Sequence, residues 1–359
     1  MLNFEKFFGI QKLLFKITED DICGFELKFF LFVIHKASKE EISIKIEEIP
    51  DFNQFFMKYI GTIEDLAKEF VHFEHKNGKN INKKAIEEWL IQFKTPYKAS
   101  LALKILKKIT FFSRSMITSV IKELINDIEE KKEIIVSPLG GPADSSSHIT
   151  YYFRDLNLTE KIKEMPLRAI IDRKNPKETT ILFLDDIIQT GNQVLSIFQQ
   201  LLGISSKLNE AHEVMLKKKQ IKRFKKFDLL FFFIIGLKEH ESNLTEKLNT
   251  LGFPNIEILS YYKEVKYTSC FHPTSGVFKE PEERRIALEM CEEIGFQLFE
   301  DKLHWPEEKK KTNSLGYGNA QKLIVFPYNV PTTTLPVLWK RGKYNEEEWE
   351  PLFIRRKKK

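Results

Sequence analysis

The stretch Ile181–Gln193, Ile-Leu-Phe-Leu-Asp-Asp-Ile-Ile-Gln-Thr-Gly-Asn-Gln, constrains the fold more than any other part of this chain. Four apolar residues in a row, with no polar alternation, read as a strand buried on both faces, the kind found in parallel sheets. Two carboxylates, Asp185 and Asp186, close that strand. After Ile187 and Ile188 comes the polar turn Gln-Thr-Gly-Asn, and then Val194, Leu195, Ile197, Phe198, Leu201 and Leu202 recur at helical spacing. Strand, acidic pair, tight turn and helix in that order set backbone N–H groups and a positive helix end around an anion such as a phosphate. A capped strand–helix turn with an ordinary acidic tip has the same outline, so the functional reading rests on the whole run.

The flanking segments extend the pattern into an α/β architecture. Ile134–Val136 is a short β-branched strand, followed by Ser137–Gly141, a turn in which Gly140 and Gly141 permit close backbone approach. Leu229–Ile235 reads as a second fully buried strand ending in Gly236-Leu237-Lys238, and Ile256–Tyr262 as a third. Strands separated by helical patterns argue for βαβ units and a parallel sheet. Ligands of such sheets bind at the carboxyl ends of the strands. Those ends carry Ser137–Gly141, Asp185–Gly191 and Gly236–Lys238, which converge on one crevice.

This divides the chain into a helical N-terminal region (1–110), an α/β core (111–265) and a C-terminal α+β extension (266–359). In the first, Phe25–Ile34 is densely apolar, Ile42, Ile44 and Ile46 alternate as in an extended segment, and residues 52–73 return to helical spacing. His72 and His75 could share a helix face and a metal, but no third ligand is evident, and a surface pair fits better. Phe111–Lys132 reads as one more helix, and Asp144–Ser147 as polar and mobile. In the extension, Pro281 with its neighbouring acids starts a helix, and Leu323–Phe326 is a strand.

Composition adds boundaries. The 31 phenylalanines belong mostly in cores, and the net charge of +6 is modest but uneven. Lys217–Lys226 holds seven basic residues in ten, and Arg355–Lys359 is wholly basic. Such runs are usually solvated; they also suit phosphate-bearing partners, with Lys218, Lys222 and Lys225 the candidate nucleic-acid contacts. Cys23, Cys270 and Cys291 are far apart in sequence and odd in number, which fits a reducing compartment rather than a disulfide framework. The start of the chain lacks a signal-peptide pattern, and the most apolar run, Leu229–Leu237, is too short to span a bilayer. A soluble, cytoplasmic protein is expected.

Leu-Asp-Asp-Ile-Ile-Gln-Thr-Gly resembles the phosphoribosyl-diphosphate (PRPP) signature of type I phosphoribosyltransferases. The resemblance implies that Asp185 and Asp186 hold the ribose hydroxyls and that Gln189, Thr190, Gly191, Asn192 and Gln193 cradle the 5′-phosphate. Where that signature usually has small or hydroxyl residues, this chain has Gln189 and Gln193. The loop after the first core strand would bind the diphosphate, through Gly140 and Gly141 with Ser137 in support. Arg154 or Arg168 could close over it from the hood. Mg²⁺ is the implied cofactor, held by Asp185 and Asp186 indirectly, through waters or ribose hydroxyls. The reaction would be displacement of diphosphate at the anomeric carbon; no general base or acceptor is identified, and His148, His240 and His272 have no fixed partner.

Trp89-Leu-Ile-Gln-Phe, Leu-Gly-Tyr-Gly-Asn, Val-Phe-Pro-Tyr-Asn-Val-Pro and Thr-Thr-Leu-Pro-Val-Leu-Trp resemble a bacterial phosphoribosyltransferase-like family of phage-defence operons, some of them retron systems. Tyr317 and Asn319 could also reach the crevice, although a packing turn fits them better, and in such a system the partner would be a ribonucleoprotein, a reverse transcriptase with its RNA and DNA. A rival reading keeps the cradle and drops the turnover: a nucleotide- or nucleic-acid-binding module acting as a switch.

Overall fold

The computed structural model describes residues 52–74, 80–128, 132–139, 145–156, 162–204, 215–236, 238–263 and 269–355. The segments Phe25–Ile34 and Ile42–Ile46 lie outside the described residues, as do His75, Gly140 and Gly141. Three helices come first, α1 (Phe52–Phe70), α2 (Lys83–Ile91) and α3 (Pro96–Leu106). Their starts are local chemistry. The Asn82 side chain accepts the Ala85 N–H at 2.9 Å, Thr95 caps α3, and Pro96 occupies a position that needs no N–H. His72 lies just past the end of α1.

After a two-residue strand β1 (Thr110–Phe111), Ser113 caps α4 (Arg114–Asp127). The α/β core then runs β2 (Glu133–Val136), α5 (Ser145–Arg154), β3 (Lys163–Glu164), α6 (Leu167–Arg173), β4 (Thr179–Ile188) and α7 (Asn192–Leu201). It continues through α8 (Lys218–Phe224), β5 (Asp228–Gly236), α9 (Lys238–Thr250) and β6 (Ile256–Lys263). Ser145–Ser147, expected to be mobile, form the first turn of α5.

The sheet is five-stranded and parallel throughout, in the order β3-β2-β4-β5-β6. From β2 the chain first builds outward to β3, then returns to the other side of β2 for β4. The order reverses there, which makes the β2/β4 boundary the switch point where open sheets form a crevice. Ile134, Val136, Leu182, Leu184, Leu230 and Phe232 pack on one face with α4 and α5. Ile135, Ile181, Phe183, Leu229 and Phe231 pack on the other with α6, α7 and α9. The phenylalanines serve this core as expected: Phe183 and Phe231, opposite each other in register, stack at 4.9 Å. Helices cover both faces of a central parallel sheet, an α/β fold of the type I phosphoribosyltransferase kind.

The C-terminal segment adds α10 (Pro281–Gln297), α11 (Glu307–Asn313), β7 (Ile324–Val325), α12 (Pro336–Trp339) and the hairpin β8 (Gly342–Tyr344)–β9 (Glu347–Trp349). β7 pairs with β1 in parallel, Thr110 opposite Ile324. Helices α1–α3 share one hydrophobic core with α10, α12 and the chain as far as Phe353. Residues Phe52–Lys359 form a single compact unit. Among the described residues no helix is long and apolar enough to cross a membrane.

Candidate ligand site at the switch point

β4 does not stop at the acidic pair. It runs on to Ile188, with Asp185 opposite Phe233 and Ile188 opposite Gly236. Both carboxylates are buried, each 6 % exposed, rather than displayed at a tip. Before the pair, Leu182 and Leu184 pack on one sheet face and Ile181 and Phe183 on the other; after it, Ile187 joins the first set and Ile188 the second. The alternation slips by one residue across the acids. Each carboxylate accepts the N–H that follows it: Asp186 N–H to Asp185 Oδ1 at 2.9 Å, Ile187 N–H to Asp186 Oδ1 at 2.8 Å. The slip is shared with β5, where the consecutive residues Ile234 and Ile235 both join the first set while the register stays unbroken.

Both acids are met by the same face of the molecule. Ser145, the first residue of α5, donates its hydroxyl to Asp185 Oδ1 at 2.5 Å, so the positive end of that helix lies beside the carboxylate. The Tyr328 hydroxyl, from the C-terminal extension, donates to Asp186 Oδ2 at 3.4 Å. Burial pushes the Asp186 carboxyl well above the ordinary carboxylate range, and the Asp185 charge pushes the same way. The Ile187 N–H and the Ser145 and Tyr328 hydroxyls pull it back. Burial, then the two acids, likewise pushes the Tyr328 phenol up. Arg355 is half-buried; desolvation lowers its pKa, and the Asp186 charge acts against that fall.

The turn behind the acids is open. Thr190, Asn192 and Gln193 are exposed, and Gly191 takes φ +66°, the left-handed conformation that starts α7. The Thr190 hydroxyl accepts the Asn192 N–H at 3.3 Å, while the N–H groups of Gln193 and Val194 have no acceptor within the helix. Helix ends with such free N–H groups are the kind that can hold an anion. Gln189 departs from the cradle: its side chain donates to the Thr333 hydroxyl in the C-terminal extension. Across the crevice, at the end of β2, Ser137 is fully buried and its hydroxyl has no partner among the described residues.

Other candidates go elsewhere. Arg154 pairs with Glu164 on β3, and Arg168 donates to the Met215 carbonyl at 3.2 Å. Tyr317 is exposed, and Asn319 accepts from the Gln321 side chain at 3.1 Å. His148 stacks on Tyr328 with ring centroids 4.8 Å apart, which sets it one contact behind Asp186. His272 bonds within its own loop, to Thr274. In the basic run, Lys218 and Lys222 are exposed, but Lys225 turns inward to the Leu251 carbonyl at 2.6 Å and Phe224 is fully buried. Phe224 shows why: the run is amphipathic, and its aromatic face closes the core over α7.

The donor set limits how a metal could bind. Among the described residues no group of three or more His, Cys, Asp or Glu side chains could hold one. Two adjacent carboxylates do suit Mg²⁺, which keeps its waters and shares its ligands with substrate phosphates rather than filling a protein cage.

Tyr328, Thr333, Ser145 and Arg355 are the residues that the sequence did not assign. Three of them come from far along the chain: Tyr328 and Thr333 lie in segments that carry the family resemblance and Arg355 opens the terminal basic run, but no pattern there assigns them a role. The family model PRTase-CE matches residues 86–355, which takes in the sheet, both helix-lined faces and the C-terminal extension as far as Arg355. No curated protein matches the chain.

Proposed function

We propose that this chain, which belongs to the PRTase-CE family and is a phosphoribosyltransferase-like protein, binds PRPP or a related phosphoribosyl or nucleotide ligand at the switch-point crevice. The observation that carries this reading is the pairing of two buried carboxylates with an open helix N-terminus on one strand–turn–helix unit. Thr190, Gly191, Asn192 and Gln193 take the 5′-phosphate through backbone N–H groups and the α7 dipole. Asp185 and Asp186 take the ribose hydroxyls, each acid already fixed by a bond to the next N–H. Ser137 supplies a donor to the diphosphate side. Asp185 and Asp186 would hold a Mg²⁺ ion indirectly, through waters or ribose hydroxyls, and there it would supply charge neutralisation on a diphosphate. In a transfer reaction the carboxylates stabilise the positive charge that develops on the ribose as diphosphate leaves. The biological setting we propose, from the family resemblance, is an effector in bacterial anti-phage defence of the retron kind.

Calorimetry with PRPP and with ribose 5-phosphate, with and without Mg²⁺, tests the binding. Asp185→Asn and Asp186→Asn should weaken both ligands, and a diphosphate-release assay on the same proteins separates turnover from binding. If wild type binds neither ligand, the reading fails.

Two observations favour the rival module. Gln189 spends its side chain on Thr333 instead of on a phosphate, and Lys218 and Lys222 stay exposed on α8. Ligand binding without diphosphate release, together with salt-sensitive nucleic-acid binding lost on Lys218→Glu/Lys222→Glu, would select the switch over the enzyme.

A further inference from the structure

One loop of the C-terminal extension grips the end of β4. The Tyr328 hydroxyl donates to Asp186 Oδ2 at 3.4 Å, and the Gln189 side chain donates to the Thr333 hydroxyl. The loop is built to hold still. The Glu74 N–H donates to the Pro327 carbonyl at 2.6 Å, the Phe326 N–H to the Asn329 carbonyl at 2.9 Å, and the Lys322 N–H to the Thr333 carbonyl at 3.0 Å. Tyr328 is 1 % exposed, and other rings enclose its own. His148 stacks on it at 4.8 Å with the planes 7° apart, Phe326 stacks at 6.0 Å, and Tyr152 meets it edge-on at 5.8 Å. A phenol so confined keeps its hydroxyl on the acid.

Helix α5 completes the arrangement. Ser145 and His148 share a face of that helix, being three residues apart. The first donates to Asp185 Oδ1 at 2.5 Å, and the second backs the Tyr328 ring. Asp186 is held by both of its oxygens, Oδ1 by the Ile187 N–H at 2.8 Å and Oδ2 by the Tyr328 phenol. An ionised carboxylate accepts about four hydrogen bonds, so each oxygen keeps capacity for a ribose hydroxyl. The two donors fix the plane of the carboxyl group before a ligand arrives, and an acid already immobilised loses less entropy on binding. We infer that Tyr328 is a positioning residue, supplied by the C-terminal extension, that aims Asp186 at the ribose hydroxyls of a phosphoribosyl ligand. This rests on the proposed phosphoribosyl site and makes the extension part of it. Tyr328 acts through Asp186 and need not touch the ligand itself.

The test is calorimetry with ribose 5-phosphate and with inorganic phosphate, both without Mg²⁺, on wild type, Tyr328→Phe, Asp186→Asn and the double mutant. Phenylalanine keeps the ring among its aromatic neighbours and removes the hydroxyl alone. Tyr328→Phe should weaken ribose 5-phosphate roughly three- to tenfold, the range of one net hydrogen bond, and leave inorganic phosphate unchanged. On top of Asp186→Asn the same change should cost little more, because the carboxylate it aimed is gone. A ring that serves packing alone would move both probes together, or cost as much in either background. Either result, or an unchanged ribose 5-phosphate affinity in Tyr328→Phe, overturns the inference, while a loss in Asp186→Asn keeps the site reading standing. Where Asp186→Asn by itself abolishes ribose 5-phosphate binding, the ratio of the two probes in Tyr328→Phe decides. If wild type binds ribose 5-phosphate no better than inorganic phosphate, the ribose site falls and the inference falls with it.

Discussion

At Asp186 burial and a like charge act together, and both favour the protonated acid. The sign of the consequence follows from linkage. A carboxyl whose folded pKa lies above its unfolded value of about 3.8 stabilises the fold fully below that pH, and the contribution is lost as pH rises through the folded pKa. Each unit of separation is worth about 1.4 kcal/mol. Unliganded wild type should therefore lose stability as pH rises above about 3.8, and Asp186→Asn should flatten that slope. The amide keeps an acceptor for the Ile187 N–H, so its melting temperature near neutral pH should match or exceed that of wild type. Urea titrations of both proteins across the pH range check this; parallel slopes would show that Asp186 is ionised in the fold. The sequence named both acids as functional. They are a buried like-charge pair, not solvated tips. What no sequence window could contain is the surroundings that Ser145, Tyr328 and Arg355 bring from other elements.

The strand–turn–helix unit of β4 and α7 was legible because its signals are local: an unbroken apolar run, a glycine where φ turns positive, and helical spacing after it. Gly191 also has a packing role, besides the one proposed for it at a phosphate. A Cβ there would meet the Leu244 side chain of α9 at 3.0 Å, so the glycine also lets a neighbouring helix close on the turn. Gly191→Val should consequently destabilise the fold by about 1–2 kcal/mol from left-handed strain alone, with the Leu244 contact adding to it. Thr190→Ala, at an exposed side chain, should leave the melting temperature within about a degree or two of wild type, a surface-substitution effect. Thermal scans of the two mutants distinguish them, and only Thr190→Ala is then a clean probe of ligand affinity. Two-residue strands such as β3, at Lys163–Glu164, carry no such signal. Their pairing is set by the neighbour, not by pattern. The α8 helix misled for a related reason: a basic count hides the buried Phe224 that docks it.

Over the whole molecule, the two ends of the described chain meet on a single backbone oxygen. The Val337 carbonyl on α12 accepts the Trp89 indole N–H from α2 at 3.1 Å and the Trp349 indole N–H from β9 at 3.0 Å. Phe93 bridges the two rings, lying 4.9 Å from Trp89 and 5.2 Å from Trp349. Helical periodicity revealed that α2 and α3 had an apolar face, but nothing in it says that residues from 270 onward cover that face. This long-range closure is what carries the extension, and Tyr328, Thr333 and Arg355 with it, over the sheet. Because one buried acceptor serves two donors, the two tryptophans should be energetically coupled. Trp89→Phe or Trp349→Phe alone leaves the Val337 carbonyl paired through the other indole and should cost about 1 kcal/mol for the lost bond, plus a packing term for the smaller ring. The double mutant leaves a buried carbonyl with neither donor, so it should cost about 1 kcal/mol more than the sum of the singles. A double-mutant cycle by urea unfolding measures this excess directly. Simple additivity would mean that the two indoles act independently and that the ends of this core are joined by apolar packing alone.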